Sequence, residues 1–214
     1  EFEVSILTTL PEENDWQQRF AEYVDDIFVL PKLLDMHDWP CFMEYMMQTR
    51  QIDVIFNTNS YYSYYLLPWL SLRWPTAAVV GYIHMEEWYY RGGGFARPSG
   101  AVGPFLDKTY VCNERTRKVL IEHFGRAPET VETVYIGVDE KKYDPQKADA
   151  QLVYQQLEQL PKDKPVVLFP CRICDQKRPF LMLEIAKRTP QYSYVVVGDG
   201  PLLEPLVQKA KEER

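Results

Sequence analysis

Short apolar runs alternate along the chain with polar turns, and most runs are followed by apolar residues at helical spacing. A run of four to eight β-branched or aromatic residues between turn signals reads as a strand, and apolar residues three and four apart read as one helix face. Residues 4–9 predict a first strand, and Trp16, Phe20, Tyr23 and Val24 predict a helix whose apolar stripe faces the core. Residues 27–30 form a short strand stopped by Pro31, and a turn over 35–38 leads to a helix bearing Phe42, Tyr45 and Met46. Residues 53–57 predict a buried strand, followed by the turn Thr58-Asn59-Ser60. The next helix bears Tyr61, Tyr62, Tyr64, Tyr65, Leu66, Leu67, Trp69 and Leu70. Aromatics this dense cannot all face inward, so they divide between core and a cleft or interface.

Residues 77–83 form another buried strand, which delivers His84-Met85-Glu86-Glu87 at its carboxyl end. A histidine beside acids there can serve in acid–base work, bind a hydroxyl, or be structural. The loop Arg91-Gly92-Gly93-Gly94 follows, a surface loop or a lid over a cleft; no Gly-Lys-Ser/Thr closes it, so it is not a P-loop. Residues 106–112 predict a strand, and Asn113 caps a helix that runs to Phe124 and ends at Gly125. A strand over 131–136 leads to Gly137-Val138-Asp139, and a polar stretch passes into a helix over 151–159.

The most informative stretch is 166–205. Strand 166–169, an amphipathic helix opened by Pro179 and strand 194–197 make a strand–helix–strand unit, which implies parallel strands joined by a right-handed crossover. The first turn carries Arg172 and Lys177, and the second strand ends in Gly198-Asp199-Gly200-Pro201. Ligands of open parallel sheets sit outside the carboxyl ends of strands, beside helix N-termini. A guanidinium and an ammonium at that edge form a diphosphate clamp or two solvated surface cations.

The class is therefore α/β with parallel sheets. A break near 137–150 divides a larger first part, residues 1–140, from a smaller second part, residues 149–214. The net charge of -7 argues against nucleic acid as a partner. Residues 1–40 hold ten acids against two bases, whereas residues 149–214 hold nine against ten, so the candidate phosphate-binding part is spared the acidity of the first. All apolar runs are too short to span a membrane, and Glu1 opens no signal peptide, so the expected setting is the cytoplasm. Cys171 and Cys174 form a Cys-x-x-Cys after a strand, a redox or zinc element in other settings; a zinc site needs a second pair, and Pro179 starts the helix too late for a thioredoxin-like centre. His37 between Asp35 and Asp38 is a solvated loop or a metal ligand without companions.

Phe169-Pro170-Cys171-Arg172, Lys177 and Val195-Val196-Val197-Gly198-Asp199-Gly200-Pro201 together resemble the second domain of family 4 (group 1) glycosyltransferases. The resemblance spans roughly residues 52–210 and is strongest over 166–201. It departs from the family at Cys171, where glycine is usual, and at Ile136, where the interdomain linker usually has asparagine. It implies a Rossmann-like, two-domain GT-B architecture, incomplete at both ends, with a hinge near 137–148. It also implies a retaining glycosyltransferase, of the kind used in polysaccharide biosynthesis, moving a sugar from a nucleotide-diphospho-sugar to a glycan or other hydroxyl acceptor. By the same resemblance His84, Arg172 and Lys177 are catalytic, and Arg172, Lys177, Gly198, Asp199 and Gly200 bind the donor. Apart from the resemblance, Glu86, Arg91, Gly92, Gly93 and Gly94 are candidates for a cleft loop, with a plain surface loop as the alternative. No metal or other cofactor is expected, because a fixed cation pair can replace a metal. The parent protein can touch a membrane peripherally. A GT-B-like binding module without transfer and a Cys-x-x-Cys redox protein stand as alternatives.

Overall fold

The computed structural model describes residues 2–11, 16–85, 87, 94–147, 149, 151 and 164–213. The chain divides into two compact units, Glu1–Val138 and Asp139–Arg214. The expected helix over 151–159 lies almost wholly outside the described residues.

In the first unit, β1 (Ser5–Thr8) pairs in parallel with β2 (Asp26–Val29). A four-stranded parallel sheet runs in sequence order through β3 (Val54–Thr58), β4 (Ala78–Ile83), β5 (Lys108–Val111) and β6 (Val131–Thr133). Parallel neighbours require crossovers. The first described helix, α1 (Gln17–Phe20), is a single turn, and α2 (Leu30–Leu33) follows β2 directly. The longer crossovers are filled by α3 (Trp39–Thr49), α4 (Tyr61–Arg73), α5 (Ala96–Ala101) and α6 (Glu114–Lys118). The last runs on as a π-helical turn, Val119–His123, and Gly125 ends it with φ 66°. The Thr9 and Ser60 hydroxyls, 2.8 Å apart, bring the carboxyl ends of β1 and β3 together.

Strand alternation sets the core. On β4, Val79 and Ile83 point to the helices and are fully buried. Ile83 packs with Ala96, Val111, Leu120 and Val131, while Val79 packs with Tyr64, Leu67 and Leu106. Met47 of α3 meets Leu70 of α4 and Ala77 at a third cluster. Each large aliphatic side chain removed from water there contributes about 1.5–3 kcal/mol.

Three expectations fail in this unit. Trp16, Phe20 and Tyr23 do not form a core stripe, for α1 is one turn long and all three side chains are exposed. β3 is not a buried strand, because it lies at the edge of its sheet and Val54 and Phe56 point away from the helices. The strand before Pro31 does end there as expected, at Val29, and Pro31 takes the second position of α2, where no N–H is needed. The strand expected over 131–136 pairs only through Thr133, and Tyr135 and Ile136 are exposed.

In the second unit, β7 (Val166–Pro170) and β8 (Ser193–Val197) pair in parallel around α7 (Pro179–Arg188), and α8 (Leu203–Glu212) follows. Ile173, Met182 and Leu206 form the core that joins the two helices. Lys187 on α7 meets Glu213 just past α8 at 2.7 Å.

Burial holds the Tyr64 phenol above its ordinary value of 10.0. A folded-state value raised above the unfolded one gives stability that is complete below pH 10 and is lost as pH rises past it. Tyr64→Phe removes this linkage and keeps the ring, so the midpoint of alkaline unfolding should move upward, read by circular dichroism. A second expectation concerns Gly198, whose φ of 146° few side chains adopt, and where a Cβ would drive into the Cys171 carbonyl oxygen. Gly198→Ala should cost about 2–3 kcal/mol in urea unfolding.

Candidate functional site

The loop after β7 is fixed by its backbone. The Cys171 N–H donates to the Val197 carbonyl at 3.0 Å and the Ile173 N–H to the Asp199 carbonyl at 2.8 Å, which carries the β7–β8 pairing past the end of the strands. The Ile173 carbonyl accepts from the Leu202 N–H at 3.0 Å, and the Asp199 carboxylate accepts from the Gly200 N–H at 2.6 Å. Gly198 and Gly200 (φ 154°) are required by this approach, since a Cβ on either would collide with the carbonyl of Cys171 or Ile173. The Gly198-Asp199-Gly200 turn thus braces the loop that carries Arg172 and Lys177.

Side chains of this loop alternate in direction. Ile173 is fully buried, and Cys171 packs beside it against the Met182 and Leu206 core. Arg172 between them is exposed, as is Lys177 at the end of a 3-10 turn, Asp175–Lys177. Neither cation makes a side-chain hydrogen bond or ion pair among the described residues. Sequence reasoning missed Arg178, which is exposed beside them and adopts a left-handed conformation (φ 51°) immediately before Pro179 opens α7. The Lys-Arg-Pro succession was the available signal, because the residue before proline is kept out of the ordinary helical region. The thiols of Cys171 and Cys174 are free and partly buried.

In the first unit, His84 follows β4 at the carboxyl edge of the sheet, and its side chain is exposed. Its ring lies against the Tyr82 ring, with centroids 4.3 Å apart and planes at 48°. The His84 N–H donates to Asn59 Oδ1 at 3.3 Å, and the Cys112 thiol donates to the His84 carbonyl at 3.4 Å. Asn113 caps α6 as expected, its Oδ1 accepting from the Thr116 N–H at 2.9 Å. Gly94 is buried with φ 53°, and the neighbouring Phe95 N–H donates to the Met85 carbonyl. Glu86, Arg91, Gly92 and Gly93 lie outside the described residues.

Asp35, His37 and Asp38 place their ligand atoms within 4.8 Å of one another, but all three are exposed on a surface turn. An open depression of about 550 Å³ beside α6, lined by Glu114, Arg115, Lys118, Val119, Glu122 and His123, contains none of the residues singled out from the sequence. No helix among the described residues is long and apolar enough to cross a membrane.

No family model and no curated protein matches the sequence. Solved structures do match. A glycosyltransferase from Rickettsia africae aligns with a TM-score of 0.66 at 14% identity, over 92% of this chain and 52% of that one. HepE from Anabaena, solved with UDP and glucose, aligns with a TM-score of 0.65 at 15% identity, over 97% and 57%. MnaA from S. aureus, solved with UDP, aligns with a TM-score of 0.54 at 12% identity, over 92% and 54%. The chain spans little more than half the length of these proteins. At such identities the likeness shows the fold, and that fold is the expected one: α/β with Rossmann-like parallel sheets, as in GT-B glycosyltransferases.

Proposed function

We propose that this chain belongs to a glycosyltransferase that moves a sugar from a nucleotide-diphospho-sugar to an acceptor hydroxyl with retention at the anomeric carbon. One observation carries the reading: Arg172 and Lys177 stand exposed and unpaired among the described residues, on a backbone-braced loop at the carboxyl end of a parallel strand. Phosphate oxygens are the natural partners of such a pair. The fold likeness to a glycosyltransferase, and to HepE solved with UDP and glucose, supports a nucleotide diphosphate as the anion. As the sugar–oxygen bond breaks, negative charge grows on the leaving diphosphate. Arg172 and Lys177 stabilise that charge, and a donor aimed at developing charge is worth about 3–4 kcal/mol in a closed site. His84, exposed at the carboxyl edge of the first unit's sheet, is assigned to the donor sugar. Gly198, Asp199 and Gly200 act in this scheme by holding the loop in place. The cation pair supplies the charge stabilisation that a metal supplies elsewhere.

Calorimetric titration of UDP, GDP and ADP into the protein tests the donor site. One nucleotide should bind tightly, and the Arg172→Ala, Lys177→Ala double variant should lose about 100-fold or more, since each charge-assisted contact contributes about 1.5–3 kcal/mol. Binding of none of the three, or equal binding by the double variant, would remove the basis for transfer at this loop. His84→Ala should lower kcat for transfer about 10-fold or more and leave the Kd of the free nucleotide unchanged, because its partner is the sugar. A lowered nucleotide affinity would instead place His84 on the diphosphate.

A further inference from the structure

The β3–β4 register ends at Thr58 and Tyr82, and the β4–β5 register ends at Ile83 and Val111. His84 is therefore the first residue past regular pairing, where strand ends fray. Its peptide is nevertheless held on both sides. Toward β3 the chain turns at Asn59 in a left-handed conformation (φ 53°), and the Asn59 side chain supplies the acceptor for the His84 N–H at 3.3 Å. Toward β5 the Cys112 N–H still donates to the Ile83 carbonyl at 3.2 Å, and the Cys112 thiol then donates to the His84 carbonyl at 3.4 Å. Asn113 Nδ2 donates to that sulfur at 3.2 Å while its Oδ1 caps α6, so the thiol is itself held. The imidazole lies against Tyr82, whose hydroxyl donates to the Val134 carbonyl at 2.8 Å. The ring nitrogens of His84 make no hydrogen bond among the described residues.

We propose that Asn59 and Cys112 are positioning residues for His84: their side chains extend the parallel ladder by one residue on each side and fix the direction in which the imidazole is presented. The inference rests on the proposed role of His84 for its purpose, but not for its geometry. Asn59 combines two properties that few residues share, tolerance of the left-handed conformation and a short side-chain acceptor. Glycine keeps the first and loses the second, while aspartate keeps both.

The test is the NMR resonance of the His84 ring, assigned by its disappearance in His84→Ala. Tyr82 imposes a ring-current shift on it that depends on the two rings staying together. In Asn59→Gly and Cys112→Ala that shift should fall about twofold or more, because loss of one hydrogen bond lets the peptide sample other directions. Asn59→Asp and Cys112→Ser should retain it, and all four variants should keep the parent's thermal midpoint to within a few degrees. An unchanged shift in Asn59→Gly and Cys112→Ala would overturn the proposal, as would equal loss in the two conservative variants. Addition of UDP-glucose to the parent protein separates this from the functional reading. A His84 resonance that ignores the sugar nucleotide, with the variant pattern as expected, would leave the positioning intact and count against transfer.

Discussion

The arrangement depends on a close backbone approach in the second unit, where two glycines lie against the carbonyls of Cys171 and Ile173. Hydrogen bonds from Cys171, Ile173 and Leu202 close the same contact. With the backbone held there, side-chain direction follows from strand alternation. Cys171 and Ile173 turn to the core and Arg172 turns to water. The loop's shape owes nothing to the charges it carries. That separation leaves the cations free to meet a ligand, since no internal carboxylate among the described residues competes for them. Arg178 adds a third positive charge at the entry to α7, where the helix dipole has the same sign.

The first unit works by a related rule with different parts. Each parallel strand ends where a loop must turn toward the next helix, so strand ends at one edge of the sheet bring together side chains distant in sequence. Asn59, His84 and Cys112 stand at the ends of β3, β4 and β5 in this way. Ser60 and Asn113, the next residues along, cap α4 and α6. The same short segments therefore start helices and hold the His84 peptide, which ties the candidate site to the integrity of the sheet edge.

What could be read from the sequence follows this division. The runs at 77–83, 106–112, 166–169 and 194–197 were legible as strands because β-branched residues between turn signals leave few alternatives. The cap at Asn113 and the helix start at Pro179 were legible for the same local reason. Burial was less so. Trp16, Phe20 and Phe56 are as apolar as any core residue, and only their neighbours in space leave them exposed. Position 171 departs from the glycine that the resemblance led one to expect, and only the structure shows that the Cys171 side chain turns inward and packs on the core. Contacts between residues 59 and 84 or 84 and 112 carry no local signature at all, and strand order is needed to find them.

Cys171 also bears on how the loop tolerates change. Where glycine allows a ligand to approach the backbone from either side, a side chain at this position has to be accommodated on one of them. Here the thiol occupies the core side, beside Ile173 and under α7 and α8. Arg172 and Lys177 are exposed to water. A larger apolar residue at 171 would overfill a core that already holds Phe169, Met182 and Leu206, and its effect would reach the cations only by displacing the loop. The two glycines of the 198–200 turn have no such freedom, because their neighbours are backbone carbonyls of residues whose own hydrogen bonds continue the pairing past the ends of β7 and β8. Packing therefore restricts substitution in this loop most at Gly198 and Gly200, which have no side chain, and least at the exposed Arg172 and Lys177.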